Sequence, residues 1–226
     1  MLPPDLRAAE TELLASLRAA LAAEAAGHWT VELRFEGLRI LPLALRLAEA
    51  LGAGQANLRL LFPDAGAAAL ACRDAPTLAG LIGSFSDQIR QQGEAGSEGL
   101  LLLVAPGQAD YEQVERLCGQ HRGPLVLLNP NLEDAAVGIG SVARSRRKGF
   151  LSLWRPAYAL IPMAASALRR PFPDPWELYR LDADGFRLVT TFEQKPDGEQ
   201  QAEALGEEGA AAGLRSLGQL IEGLQR

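Results

Sequence analysis

Two uninterrupted apolar runs, "LLLLVAPG" (residues 100–107) and "PLVLLNP" (residues 124–130), flank the amphipathic stretch "DYEQVERLCGQH" (residues 110–121). A strand with one wet face alternates polar and apolar residues, whereas a run apolar at every position suits a strand buried on both faces of a parallel sheet. The stretch between them is long enough for one crossover helix, so the three segments predict a right-handed βαβ unit. That unit narrows the fold to a sheet that is at least partly parallel and packed between helices.

The flanks extend the pattern. "MLPPDLRAAETELLASLRAALAAEAAG" places Leu6, Leu13, Leu14, Leu17 and Leu21 on one helical face, with prolines before it and Gly27 after it, and predicts a helix within residues 1–26. "WTVELRFEG" alternates like a half-wet strand, "LPLALRLAEALG" returns to helical spacing, and "NLRLLF" reads as a second strand. In "PDAGAAALACR" Asp64 stands where a carboxylate caps a short helix. "TLAGLIGSFS" reads as a short strand, and "QQGEAGSEG" as a loop before the first apolar run.

Past Asn131 the spacing changes. "FLSLW" and "AYALIP" read as strands broken at Arg155 and Pro156, and "WELYRLDADGFRLVTTFE" as a hairpin turning at Asp184 and Gly185. Residues 197–226 predict a terminal helix through Leu214, Leu217, Leu220, Ile221 and Leu224. The expected architecture is one α/β domain over residues 1–226: three layers, with a mixed sheet that is parallel and Rossmann-like first and antiparallel at its C-terminal end.

Composition limits what such a domain does. With 22 cations against 28 acids the net charge is −6, which argues against nonspecific nucleic-acid binding, since that affinity comes from a basic surface releasing counterions. Cys72 and Cys118 are too few for a disulfide framework and fit a reducing compartment. The N-terminal stretch lacks the pattern of a secretory signal, and Asp5, Glu10 and Glu12 disfavour a transit peptide. "FLSLWRPAYALIPMAASAL" approaches the length of a membrane span, but Arg155, Pro156 and Pro162 argue against spanning, so no transmembrane segment is expected.

Polar groups gather where strands end. Asp64 follows one strand, and Asn129, Asn131, Glu133 and Asp134 follow another; in open parallel sheets such loops share the carboxyl edge, where ligands bind. The alternative at the same positions is that Asp64 caps a helix and the asparagines close turns. "RSRRK" with Arg144 brings Arg144, Arg146 and Arg147 together beside the glycines of "GIGSVA", a combination able to hold an anion or an acidic partner. Those glycines match the letters of a dinucleotide fingerprint without the preceding buried strand or the acid about twenty residues on, so no such cofactor is expected. No metal site is expected either. The spacing of Asp64, Glu133 and Asp134 is unsupported, and Cys118 and His121 lack the second pair that zinc requires.

Four ordered blocks carry a resemblance: "LRLLFPDAGAAALACRD", "LLLVAPGQADYEQVERLC", "LVLLNPNLEDAAVGIGSVARSRRKGFLSLWRPAYALIPM" and "RRPFPDPWELYR". Together they resemble the cyanobacterial and chloroplast domain-of-unknown-function family numbered nineteen-ninety-five, which includes the plant low photosystem II accumulation proteins. The resemblance implies an oxygenic phototroph and a non-enzymatic auxiliary factor in assembly or accumulation of a photosystem. It also implies a cytoplasmic location, peripheral on thylakoids, and a photosystem subunit or assembly protein as partner. Trp154 and Tyr158 are the expected exposed docking residues. The competing expectation is a phosphorylated or nucleotide-like ligand held by Asp64, Asn129 and Arg144 at the carboxyl edge.

Overall fold

The computed structural model describes residues 1–54, 57–92, 97–132 and 147–206. Nine strands form one sheet: β1 (His28–Leu33), β2 (Arg59–Phe62), β3 (Ile82–Ser84), β4 (Leu101–Val104), β5 (Leu125–Leu128), β6 (Arg155–Pro162), β7 (Ser166–Pro171), β8 (Trp176–Asp182) and β9 (Gly185–Phe192). Their spatial order is β3-β2-β4-β5-β1-β6-β7-β8-β9. Pairing is parallel from β3 through β6 and antiparallel from β6 to β9, so the mixed α/β sheet expected from the sequence is what the chain forms.

Helices cover both faces. On the first lie α1 (Leu6–Ala23), α2 (Ile40–Gly52) and α3 (Ala65–Asp74), whose Leu13, Leu17, Leu47, Leu51 and Ala71 join Val31, Leu60, Leu102, Val126 and Leu160 in one core. On the second, α4 (Phe85–Gln92) and α5 (Tyr111–Gln120) bring Phe85, Val114 and Leu117 onto Leu61, Leu101, Leu103, Leu125 and Leu127. Consecutive leucines of β4 and β5 thus point alternately into two cores, which is why those runs are apolar at every position. A third cluster, Ala159, Leu168, Trp176 and Leu178, receives Ala204 and Leu205 from α6 (Gly198–Leu205).

Several local expectations need correction. "FLSLW" is not a strand: residues 147–151 are helical, and the backbone N–H groups of Ser152 and Leu153 continue the turn to the carbonyls of Lys148 and Phe150. The stretch is apolar at every position but Ser152, yet Phe150, Leu151 and Trp154 fall on one side and pack on the second core, leaving Leu153 exposed. Arg155 and Pro156 do not break the chain; they open β6. Pro156 pairs with Thr30, and the register shifts immediately beyond, where a bulge absorbs the missing N–H.

"SALRRP" forms β7, and "FSDQIRQQ" forms α4, neither anticipated. "TLAGLIGSFS" is a strand only over Ile82–Ser84; Pro76–Leu78 is a 3-10 turn. Gly198–Leu205 forms α6, and the anticipated terminal helix through Leu214, Leu217, Leu220, Ile221 and Leu224 lies outside the described residues. Tyr158 is fully buried and Trp154 half-buried, so neither is the exposed anchor expected. No helix among the described residues is long and apolar enough to cross a membrane.

Candidate functional site

At the carboxyl edge the anticipated polar residues are occupied by the fold. Asp64 accepts the Ala67 N–H at 2.8 Å and caps α3. Asn129 adopts a left-handed backbone (φ +48°); its Oδ1 accepts the Leu33 N–H at 2.7 Å and its Nδ2 donates to the Leu33 carbonyl at 2.8 Å. This side chain therefore mimics one more pair of ladder bonds between β5 and β1. The backbone N–H of Asn131 donates to the Pro106 carbonyl at 2.8 Å.

Asn129 lines a hollow of about 620 Å³ with Arg34, Phe35, Pro162 and Met163. β1 leaves this edge toward α2 on the first face and β5 toward Leu132 on the second, the divergence that opens crevices in parallel sheets. Asp64 is not in that hollow: its strand, β2, is separated from β5 by β4, a lateral offset of about 10 Å. Arg147 lies 4.5 Å over the Tyr111 ring and 3.9 Å from Glu112, at the start of α5. Glu133, Asp134, Arg144 and Arg146, with the glycines of "GIGSVA", lie outside the described residues.

A second concavity was not anticipated. On the second face, between the segment ending at Trp154 and the chain leaving β9, a groove of about 660 Å³ runs over β1 and β6. Thr30 and Glu32 form its floor with Leu127 and Pro156. Leu132, Leu151 and Trp154 stand on one side, and Arg170, Trp176 and Lys195 on the other. Sheet register explains the placement: Glu32 pairs with Ala159 and Ala159 with Arg170, so an acid and a base sit on one row with only a methyl between them. The alternation of β1 puts Trp29, Val31 and Leu33 into the first core and leaves Thr30 and Glu32 for this face.

The charges in the groove are not equally satisfied. Glu32 receives Lys195 at 3.3 Å and Arg34 at 3.5 Å. Arg155 pairs with Glu24 and lies 4.3 Å over the Trp29 ring. Arg170 donates to the Pro156 carbonyl and lies 5.5 Å from the Phe172 ring centre, and no carboxylate of the described residues forms an ion pair with it. Burial pulls its guanidinium below the usual arginine range; Asp174 opposes that and Arg155 adds to it. Lys195 lies 5.6 Å over the Trp176 ring, so indole and cation form one wall.

Groups suited to nucleophilic chemistry are held elsewhere. Burial pushes the Cys118 thiol up to about 12, which leaves it almost no thiolate. His121 has both ring nitrogens engaged: Nε2–H donates to the Gly99 carbonyl at 2.8 Å, and Nδ1 takes the Ser97 hydroxyl at 2.8 Å. Ser97 and His121 are also bridge partners, so the pair extends the contact between the β4 and β5 sides beyond the amino ends of those strands. Among the described residues no three His, Cys, Asp or Glu side chains gather to hold a metal ion.

Sequence reasoning missed Glu32, Arg155, Arg170, Trp176 and Lys195. The available signal was charge inside strands: "TVELRF", "WRPAYALIP" and "ALRRPF" each embed an ion among apolar neighbours, and such a residue must face water or a partner. No curated protein and no solved structure matches the chain. The profile of the family described as Domain of unknown function (DUF1995) matches residues 3–203, a span holding all nine strands and both concavities, and the chain belongs to that family.

Proposed function

We propose that the protein is a non-enzymatic auxiliary factor in assembly or accumulation of a photosynthetic membrane complex, and that it works by docking a protein partner in the groove over β1 and β6. The observation that carries this reading is the groove itself. Half-buried Trp154 and the edge of the largely buried Trp176 both line a concavity that also displays Arg155 and Arg170. Trp and Arg are the residue types that dominate binding energy when they line a concave, partly desolvated patch. The partner class is what the resemblance to a family that includes the plant low photosystem II accumulation proteins implies.

Peripheral membrane contact belongs to the same proposal. Its support is the exposed apolar pair Phe35 and Met163 at the carboxyl edge; the hollow beside Phe35 carries Asp5 and Glu36 as well as Arg39 and Arg46. The competing reading, a phosphorylated ligand at that edge, draws on Arg34 and Asn129. Arg34 already donates to the Pro130 carbonyl at 2.5 Å and Asn129 is bonded to Leu33, so a ligand there would have to displace backbone contacts.

Tagged protein mixed with gently solubilised thylakoid membranes tests the proposal. Native protein should recover photosystem subunits or their assembly factors, and Trp154→Ala with Trp176→Ala should lose them. A triple Arg144→Ala, Arg146→Ala, Arg147→Ala variant measures what the basic cluster adds. Recovery of no such subunit by the native protein would overturn the reading.

A further inference from the structure

Resting on the docking role just proposed, we infer that the groove recognises a protein segment through one carboxylate, seated at Arg170 and flanked by apolar side chains that lie against Trp154 and Trp176. Charge selects the monoanion. The lining carries Arg155, Arg170 and Lys195 against Glu32 and Glu193, which leaves one positive charge unbalanced. Of the charges that act on the lining from outside, Glu24 and Arg34 cancel each other, and Asp174 attracts Arg170 from beyond ion-pair distance. A further carboxylate fits at Arg170, because Arg155 has Glu24, Lys195 has Glu32, and no acid of the described residues reaches Arg170 at ion-pair distance.

A half-buried guanidinium whose neighbouring acid, Asp174, stands beyond ion-pair distance keeps donors to fill, and a carboxylate fills them with charge-assisted bonds from a planar fork. Glu32 lies two strands away on the same row, so its repulsion of a bound anion is doubled for a dianion. Leu127, Leu132, Leu151, Pro130 and Pro156 supply the apolar contact on either side. The volume of about 660 Å³ lies within the range of sites that enclose a compact ligand, and suits a short stretch of polypeptide.

The test uses 3-phenylpropionate, its amide 3-phenylpropionamide and phenyl phosphate as probes, with the indole N–H resonances of Trp154 and Trp176 as reporters at constant ionic strength. The acid should bind at least tenfold more tightly than the amide. Arg170→Gln should erase that preference and leave the weak amide binding intact, and Arg170→Lys should retain part of it. Equal binding of acid and amide, or a preference that survives Arg170→Gln, would overturn the assignment. So would tighter binding of phenyl phosphate, which would move the ligand class to phosphorylated molecules.

Membrane-subunit capture separates this inference from the docking role. Capture undiminished by Arg170→Gln would leave that role standing and refute the carboxylate seat. A lost acid preference in a protein that captures nothing would support the seat and refute the role.

Discussion

Arg169 shows how this sheet tolerates charge inside strands. Its guanidinium bonds both oxygens of Glu12 on α1 and lies 2.5 Å from Glu177 on β8, while the Tyr158 hydroxyl donates to Glu12 at 3.0 Å and that of Tyr179 to Glu177 at 2.8 Å. Two acids share one base, and burial with the adjacent carboxylates pushes the Tyr179 phenol up to about 12 and raises Tyr158 further. Both phenols therefore stay neutral donors at any ordinary pH. Arg169→Ala strips the base from two half-buried acids and should cost about 3–5 kcal/mol in urea unfolding, whereas the adjacent Arg170→Gln should cost under about 1 kcal/mol. Similar losses for both would mean that Arg170 is a structural residue. At the carboxyl edge, Asn129→Ala leaves the N–H and carbonyl of buried Leu33 unpaired and should cost about 2–4 kcal/mol, with Asn129→Gly no better despite its freedom at positive φ.

Among elements, the amino ends of β4, β5 and β1 form a polar seam whose stability depends on pH. His121 bridges Ser97 and Gly99, Gln92 donates to Ser97 at 2.7 Å, and His28 packs edge-on against Trp154 with ring centres 5.2 Å apart. Burial lowers the pKa of both imidazoles, and the charge of His28 lowers His121 further. The unfolded chain binds protons near pH 6.5 while the folded chain still resists them, so this stability is complete above about 6.5 and is lost as pH falls toward the folded values. Urea midpoints should drop between pH 7 and 5, before most carboxylates titrate, and the drop should shrink in His121→Gln with His28→Gln. An unchanged slope in that double variant would assign the loss to other groups.

The same elements show what the sequence could reveal. β4, α5 and β5 were legible because burial on both faces leaves only apolar residues. β7 was not, because Arg169 and Arg170 break an apolar run and are accommodated by partners far off in sequence. "FLSLW" (residues 150–154) was misread because a short apolar run cannot be told from a helical segment by periodicity. The groove was invisible for a related reason: register brings Glu32 and Arg170 onto one row, and Trp154 and Lys195 reach it from the chain outside the strands.

At the scale of the molecule, the question is whether the parallel and antiparallel halves fold as one. β6 belongs to both, pairing in parallel with β1 and antiparallel with β7. α1 packs over that junction, its Leu13 and Leu17 sharing a core with Val31 and Leu160 while its Glu12 holds Arg169 on β7. Separating the halves would expose Tyr158 and Leu160 and leave Arg169 without Glu12, a cost neither half recovers alone. Unfolding should therefore be a single transition. Variants that keep only Trp29 or only Trp176, with the other tryptophans replaced by phenylalanine, report separately from the first core and from the antiparallel strands. Their fluorescence curves in urea should each track the backbone signal of the same variant. A Trp176 curve that falls ahead of the backbone would show the antiparallel strands opening by themselves, and the groove over β1 and β6 would then be the seam between two units.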